Sequence, residues 1–99
     1  MISRQWRGLA RPSQAQKYIE HLRTDTFPAL RTMPGFLTAS ILSRPFGHGM
    51  EFLVVTQWRA LDDIARFSGA DFEAAVVPVE VAQMMIEYDR RVKHYEVEA

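Results

Sequence analysis

Few residues of this chain are equipped for chemistry, and they are widely spaced. His94 lies near the C-terminus in a segment read as a strand, on the same face as Val92. An imidazole titrates close to neutrality, so His94 is a candidate proton shuttle; the plain alternative is a structural histidine with a satisfied hydrogen bond. Arg4 and Trp6 are two residues apart and share one face of a first strand, where either could line a pocket. Phe67, Phe72, Met84, Met85 and Tyr88 gather soft and aromatic side chains in the second half. Methionine adapts to irregular apolar ligands, though it fills ordinary core gaps as readily.

Other chemistries are poorly supported. His21, His48 and His94 show no i, i+4 spacing of metal ligands, so no metal site is expected. With 0 cysteines there is no thiol nucleophile, thiolate site or disulfide. Gly47-His48-Gly49 precedes a strand and reads as a hairpin turn, not a phosphate loop. The 12 basic residues balance the 12 acidic ones, so the basic excess of a nucleic-acid binder is missing. Arg44 to Phe52 sits where an RNA-recognition domain would carry its aromatic motif, but Pro45, His48 and Gly49 break that pattern.

The elements that must position these groups follow from periodicity. Ile2 to Gly8 alternates as a strand. Pro12 to Gln16 starts a helix, with Ser13 as cap and Gln16 closing a capping box. Ala15, Tyr18, Ile19, Leu22, Thr26, Leu30 and Met33 form its buried stripe, and Pro28 predicts a kink or restart near Thr26. Phe36 to Ser43 and Glu51 to Trp58 read as antiparallel strands joined by a turn from Arg44 to Gly49. Leu61 to Phe67 is a short helix with Asp62 and Asp63 in its first turn, ended by Gly69. Asp71 is expected to cap another short helix through Ala75, Pro78 to start a third over Val79 to Glu87, and Tyr88 to Val97 to form the last strand.

The order β-α-β-β-α-β predicts one α+β domain over residues 1–99, ferredoxin-like, with a four-stranded antiparallel sheet and helices on one face. A chain of 99 residues has a modest core, and a second copy covering the bare sheet face would enlarge it. No apolar run approaches a membrane span, and Met1 to Arg7 lacks a signal-peptide core, so a cytoplasmic protein is expected.

Several segments resemble the antibiotic biosynthesis monooxygenase domain family. One runs from Phe52-Leu53-Val54-Val55-Thr56-Gln57-Trp58 through Arg59-Ala60-Leu61-Asp62-Asp63 to Phe67: a strand into a tryptophan, an acidic turn, then a helix. Gly69 to Pro78, Val92 to Val97 and Leu30-Arg31-Thr32-Met33-Pro34-Gly35-Phe36 continue the likeness. The resemblance implies a dimeric α/β barrel, with a pocket in each subunit between sheet and helices. It implies oxygenases without a conventional prosthetic group that act on aromatic or quinol-like compounds, and relatives that open haem. It makes Trp58 a candidate to stack on an aromatic substrate, with Gln57 and Arg59 as polar neighbours; the plain alternative is a core anchor. The haem branch needs a tryptophan and a histidine near positions held here by Phe67 and by Val76 or Val77, so the resemblance argues against haem unless His94 or His48 supplies the ligand from elsewhere.

The expectation is therefore a cofactor-free monooxygenase, with His94 and Trp58 catalytic and Trp6, Phe67, Phe72, Met84 and Tyr88 against the substrate. Its partners would be a second copy and a small aromatic molecule. The rivals are a non-catalytic binding or regulatory dimer and an isomerase or decarboxylase using His94 as base.

Overall fold

A computed structural model describes residues 1–99. The chain runs β1 (Ile2–Ala10), α1 (Ala15–His21), α2 (Phe27–Arg31), β2 (Phe36–Phe46), β3 (Gly49–Trp58), α3 (Leu61–Ser68), α4 (Val79–Met84), β4 (Met85–Tyr88) and β5 (Lys93–Glu96). The antiparallel sheet has the order β2-β3-β1-β4, with β5 also paired to β1. This is the expected ferredoxin-like arrangement with its last strand in two pieces.

That split corrects the reading of a continuous strand from Tyr88. Met85 and Glu87 pair with Ala10 and Leu9, and Lys93 to Glu96 pair with Gln5 to Ile2. Between the pieces the backbone turns away: Asp89 N–H donates to Arg7 O at 2.9 Å, and the Asp89 carbonyl accepts the Trp6 indole N–H at 2.8 Å. Helix α4 accordingly ends at Met84, not Glu87, because buried Met85 enters the sheet beside Ala10. The helix expected from Asp71 to Ala75 does not form. Asp71 Oδ1 accepts the Glu73 N–H at 3.2 Å, and the chain then bridges Ala74 to Arg91. This segment joins the sheet edge by tertiary pairing, which overrides its local helix preference.

β2 runs to Phe46, three residues beyond the expected end. It is an edge strand, which is why Pro45 is tolerated inside it. The hairpin turn shrinks to Gly47-His48, with Gly47 at φ +57°, as the mirror-image hairpin turns prefer.

The first helical layer is one helix interrupted by a π-turn over Leu22–Thr26. The expected restart is present, but the extra residue shifts the stripe. After Ala15, Tyr18 and Leu22, the next fully packed positions are Phe27 and Leu30, while Thr26 is half-buried. Ser13 caps nothing: it lies in a 3-10 turn over Pro12–Gln14, and no side-chain capping bond starts α1. Trp58, Phe52, Leu30 and Ile64 are the largest fully buried side chains, so the core sits between this layer, α3 and one sheet face.

Alternation along β1 sorts the two sheet faces. Arg4, Trp6, Gly8 and Ala10 face the helices with Thr56, Val54, Phe52 and Met50 opposite them. Ser3, Gln5, Arg7 and Leu9 face away, alongside Leu53, Val55 and the exposed Leu42, Phe46 and Tyr95. No helix is long and apolar enough to cross a membrane.

Candidate functional site

One cavity opens between the sheet and the interrupted helix. Its volume is about 70 Å³, and the empty space including the open mouth is about 570 Å³. The floor is Arg4, Trp6, Val54 and Thr56 from β1 and β3. The wall is Tyr18, His21, Leu22, Thr26, Phe27 and Leu30. Phe67, Val76, Pro78, Val81 and Val92 complete it. The lining is mainly apolar and aromatic with a few polar groups, which is the usual chemistry of a small-molecule site.

Arg4 is the one charged residue among the 17 buried ones, at 4% exposure. Its Nη1 donates to Phe72 O at 2.6 Å and meets His94 Nε2 at 2.9 Å, and its Nη2 donates to Ala74 O at 2.9 Å. Phe67 covers a face of the guanidinium, 5.6 Å from ring centre to Cζ. No carboxylate pairs with it. Burial alone pulls its pKa down to about 10, so it stays charged at neutral pH.

His94 is half-buried behind Arg4 and does not border the cavity. Burial first, and the Arg4 charge second, hold its pKa below the ordinary histidine value. The imidazole is thus neutral at pH 7, with the Nε2 lone pair turned to the Arg4 N–H and the proton on Nδ1.

Tyr18 packs against Trp6 at 6.0 Å and edge-on to Phe52 at 5.1 Å. Burial raises its pKa, so the phenol remains protonated. Its hydroxyl has no protein partner, yet no buried polar side-chain atom is left unsatisfied, so that oxygen opens onto the cavity.

His21 borders the cavity at 11% side-chain exposure. Its Nδ1 is 3.3 Å from Asp25 Oδ2 and 3.8 Å from Glu80 Oε1. Both are ion-pair distances, and they place Nδ1 toward the two carboxylates. The three donor atoms lie within 4.8 Å of one another, fewer ligands than a closed metal site requires.

The residues singled out from sequence fall in three groups. Trp6 and Phe67 line the cavity. Tyr88 and Phe72 stand behind that lining: Tyr88 packs on Trp6 at 6.3 Å, and Phe72 gives its carbonyl to Arg4. Trp58 and Met84 are also outside the lining. Trp58 is fully buried, donating to Thr56 Oγ1 at 2.9 Å, edge-on to Phe36 and stacked on Phe67 at 6.4 Å. It therefore reaches the cavity only through Phe67 and Thr56. Gln57 lies on the outer sheet face and Arg59 is exposed. Sequence reasoning assigned no site role to His21 and Tyr18. The His21 to Asp25 spacing was a usable signal; the contribution of Glu80 was not.

No family model matches the sequence, and neither does any curated protein. Solved structures do. A crystal structure from Bacillus cereus, provisionally labelled an antibiotic biosynthesis monooxygenase, superposes with a TM-score of 0.67 at 15% identity, over 99% of this chain and 93% of that one. The fold is that of the antibiotic biosynthesis monooxygenase-like proteins. A variant of MhuD, crystallised with two manganese protoporphyrin IX molecules per active site, superposes at a TM-score of 0.57 and 19% identity, over 100% and 96% of the two chains.

Proposed function

We propose that this protein is a homodimeric monooxygenase that binds a small aromatic or quinol-like compound in the cavity and oxygenates it without a conventional prosthetic group. The carrying observation is His21, a carboxylate-flanked imidazole, on the wall of an aromatic-lined, half-open cavity. Such oxygenation needs a base to take a proton from the substrate and a site that excludes water. The resulting anion supplies the electrons and dioxygen is the oxidant; one oxygen atom enters the ring and the other leaves as water. His21 is the proton acceptor in this reading, with Asp25 beside its Nδ1 to stabilise the charge it gains. Trp58 acts as a positioning residue by backing Phe67, and His94 by accepting from Arg4.

The dimer rests on the outer sheet face. Leu42 and Tyr95 there are 53% and 50% exposed, and Phe46 is 44% exposed under the Arg7 and Arg44 guanidiniums. Apolar side chains gathered on an open sheet face call for a covering surface.

One observation favours a second reading, a binding dimer without turnover: His94 and Trp58, the residues expected to be catalytic, both lie outside the cavity lining. Oxygen uptake with a panel of anthrones and quinols separates the two. The oxygenase consumes oxygen with matching product, and His21→Gln lowers kcat by roughly 10²–10⁴-fold. Thermal shifts with no oxygen uptake across the panel establish the binding reading instead.

A further inference from the structure

Arg4 has five N–H groups, and the structure uses three: two on Nη1 and one on Nη2. The Nε–H and the second Nη2–H have no protein partner. The Nε is not sealed, since no buried side-chain nitrogen is left without a partner. Arg4 borders the cavity, which gives this free donor a route to a guest. Nε lies on the side-on edge of the guanidinium, an edge suited to an anionic oxygen.

The charge itself is unanswered. The acceptors around Arg4 are two carbonyls and a neutral imidazole, and the remaining contact is the face of Phe67. A buried cation without a counter-ion is costly, and an anion entering the cavity recovers that cost in a low-dielectric setting. Tyr18, whose hydroxyl has no protein partner, lines the same cavity.

We infer that the cavity ligand is an aromatic compound bearing an ionised oxygen, which docks at the free Nε–H of Arg4. The inference rests on the cavity being the ligand site and narrows the class of compound it takes. The ionised oxygen is a carboxylate or a phenolate. In the oxygenase reading, the same edge holds the anion formed when His21 removes the proton.

Matched pairs of probes test it on the unmodified protein: benzoate against methyl benzoate, and 4-nitrophenolate against 4-nitroanisole. Titrations followed by protein NMR give Kd for each, and the Arg4 Nε–H resonance reports where the anion sits. The anions bind about tenfold to a hundredfold tighter than their neutral partners and move the Arg4 Nε–H signal. Benzoate alone showing the preference assigns a carboxylate ligand, and 4-nitrophenolate alone a phenolate. Equal binding of anion and neutral partner overturns the inference and leaves the cavity as an aromatic site. Tighter anion binding with an unmoved Arg4 Nε–H signal also overturns it. Binding of neither member of either pair removes the inference and the ligand-site reading together.

Discussion

Gly8 is the position where a single methyl group tests the floor of the cavity. It lies in the middle of β1 on the helical face, and the Trp6 ring lies across it. A Cβ at Gly8 would come within 2.8 Å of Trp6 Cζ3 and 3.0 Å of Met85 Sδ, with Trp6 Cη2 closer still. Gly8→Ala therefore forces the indole to move. Two effects oppose each other. Alanine restricts the unfolded chain and favours the strand by about 0.5–1 kcal/mol. Overpacking costs about 1–3 kcal/mol, and moving the ring weakens the Trp6 to Asp89 hydrogen bond, worth about 1 kcal/mol. The steric side wins, for a net loss of about 1–3 kcal/mol. In a domain of this size that lowers Tm by roughly 5–15 °C.

Urea and thermal unfolding measure the loss, and tryptophan fluorescence reports the displaced ring. The reasoning requires the effect to pass through Trp6. In a Trp6→Leu background, Gly8→Ala becomes neutral or slightly stabilising, giving a coupling energy of about 1–3 kcal/mol in the double-mutant cycle. If Gly8→Ala destabilises both backgrounds equally, the close approach of the indole is not what glycine serves there. An unchanged Tm in the wild-type background would refute the packing argument outright.

Two further outcomes follow from the same geometry. His94 has a lowered pKa in the folded chain, so as pH falls through about 6.5 the unfolded chain takes up the proton first. The urea midpoint therefore declines as pH falls through about 6.5 and below, and His94→Gln flattens that decline; an unchanged profile in the variant would remove His94 as its source. On the outer sheet face, Leu42→Asp places a charge where the proposed partner sits, so size-exclusion chromatography with light scattering shows the mass falling from two chains to one. A wild-type protein already running as one chain at micromolar concentration would end the dimer proposal.

The sequence made the sheet legible wherever pairing is local. The β2–β3 hairpin, the acidic first turn of α3 and its stop at Gly69 follow from neighbouring residues, and Gly69 takes φ +83°. Errors lie where distant partners decide. Val79 to Tyr88 satisfies either a helix or a strand, and only the pairing of Met85 with Ala10 ends α4. Phe27 was missed because a π-turn moves the buried stripe by one residue; Pro28 marks a restart there but not the extra residue. For the site, Arg4 and Trp6 were correctly placed on one face, but the role of Arg4 was not legible. Its acceptors are backbone carbonyls nearly seventy positions away, and a carbonyl leaves no mark in the identity of its residue.

That arrangement makes Arg4 answer to two demands at once. The segment from Gly69 to Pro78 forms no helix or strand of its own, yet Val76 and Pro78 border the cavity. Apart from the exposed Asp71–Arg91 ion pair, which contributes little, it is held by pairing with Arg90 to Val92 and by the Arg4 bonds to Phe72 and Ala74. An apolar residue at position 4 would avoid burying a charge but leave both carbonyls without their donor. The carbonyls satisfy part of the guanidinium without neutralising it. A positive charge therefore remains on the lining of a mainly apolar cavity, where a guest in contact with it feels it. Local consistency in a fold is most often broken where function is placed. Here the break is one unpaired cation at the centre of the sheet, facing the open space beside His21.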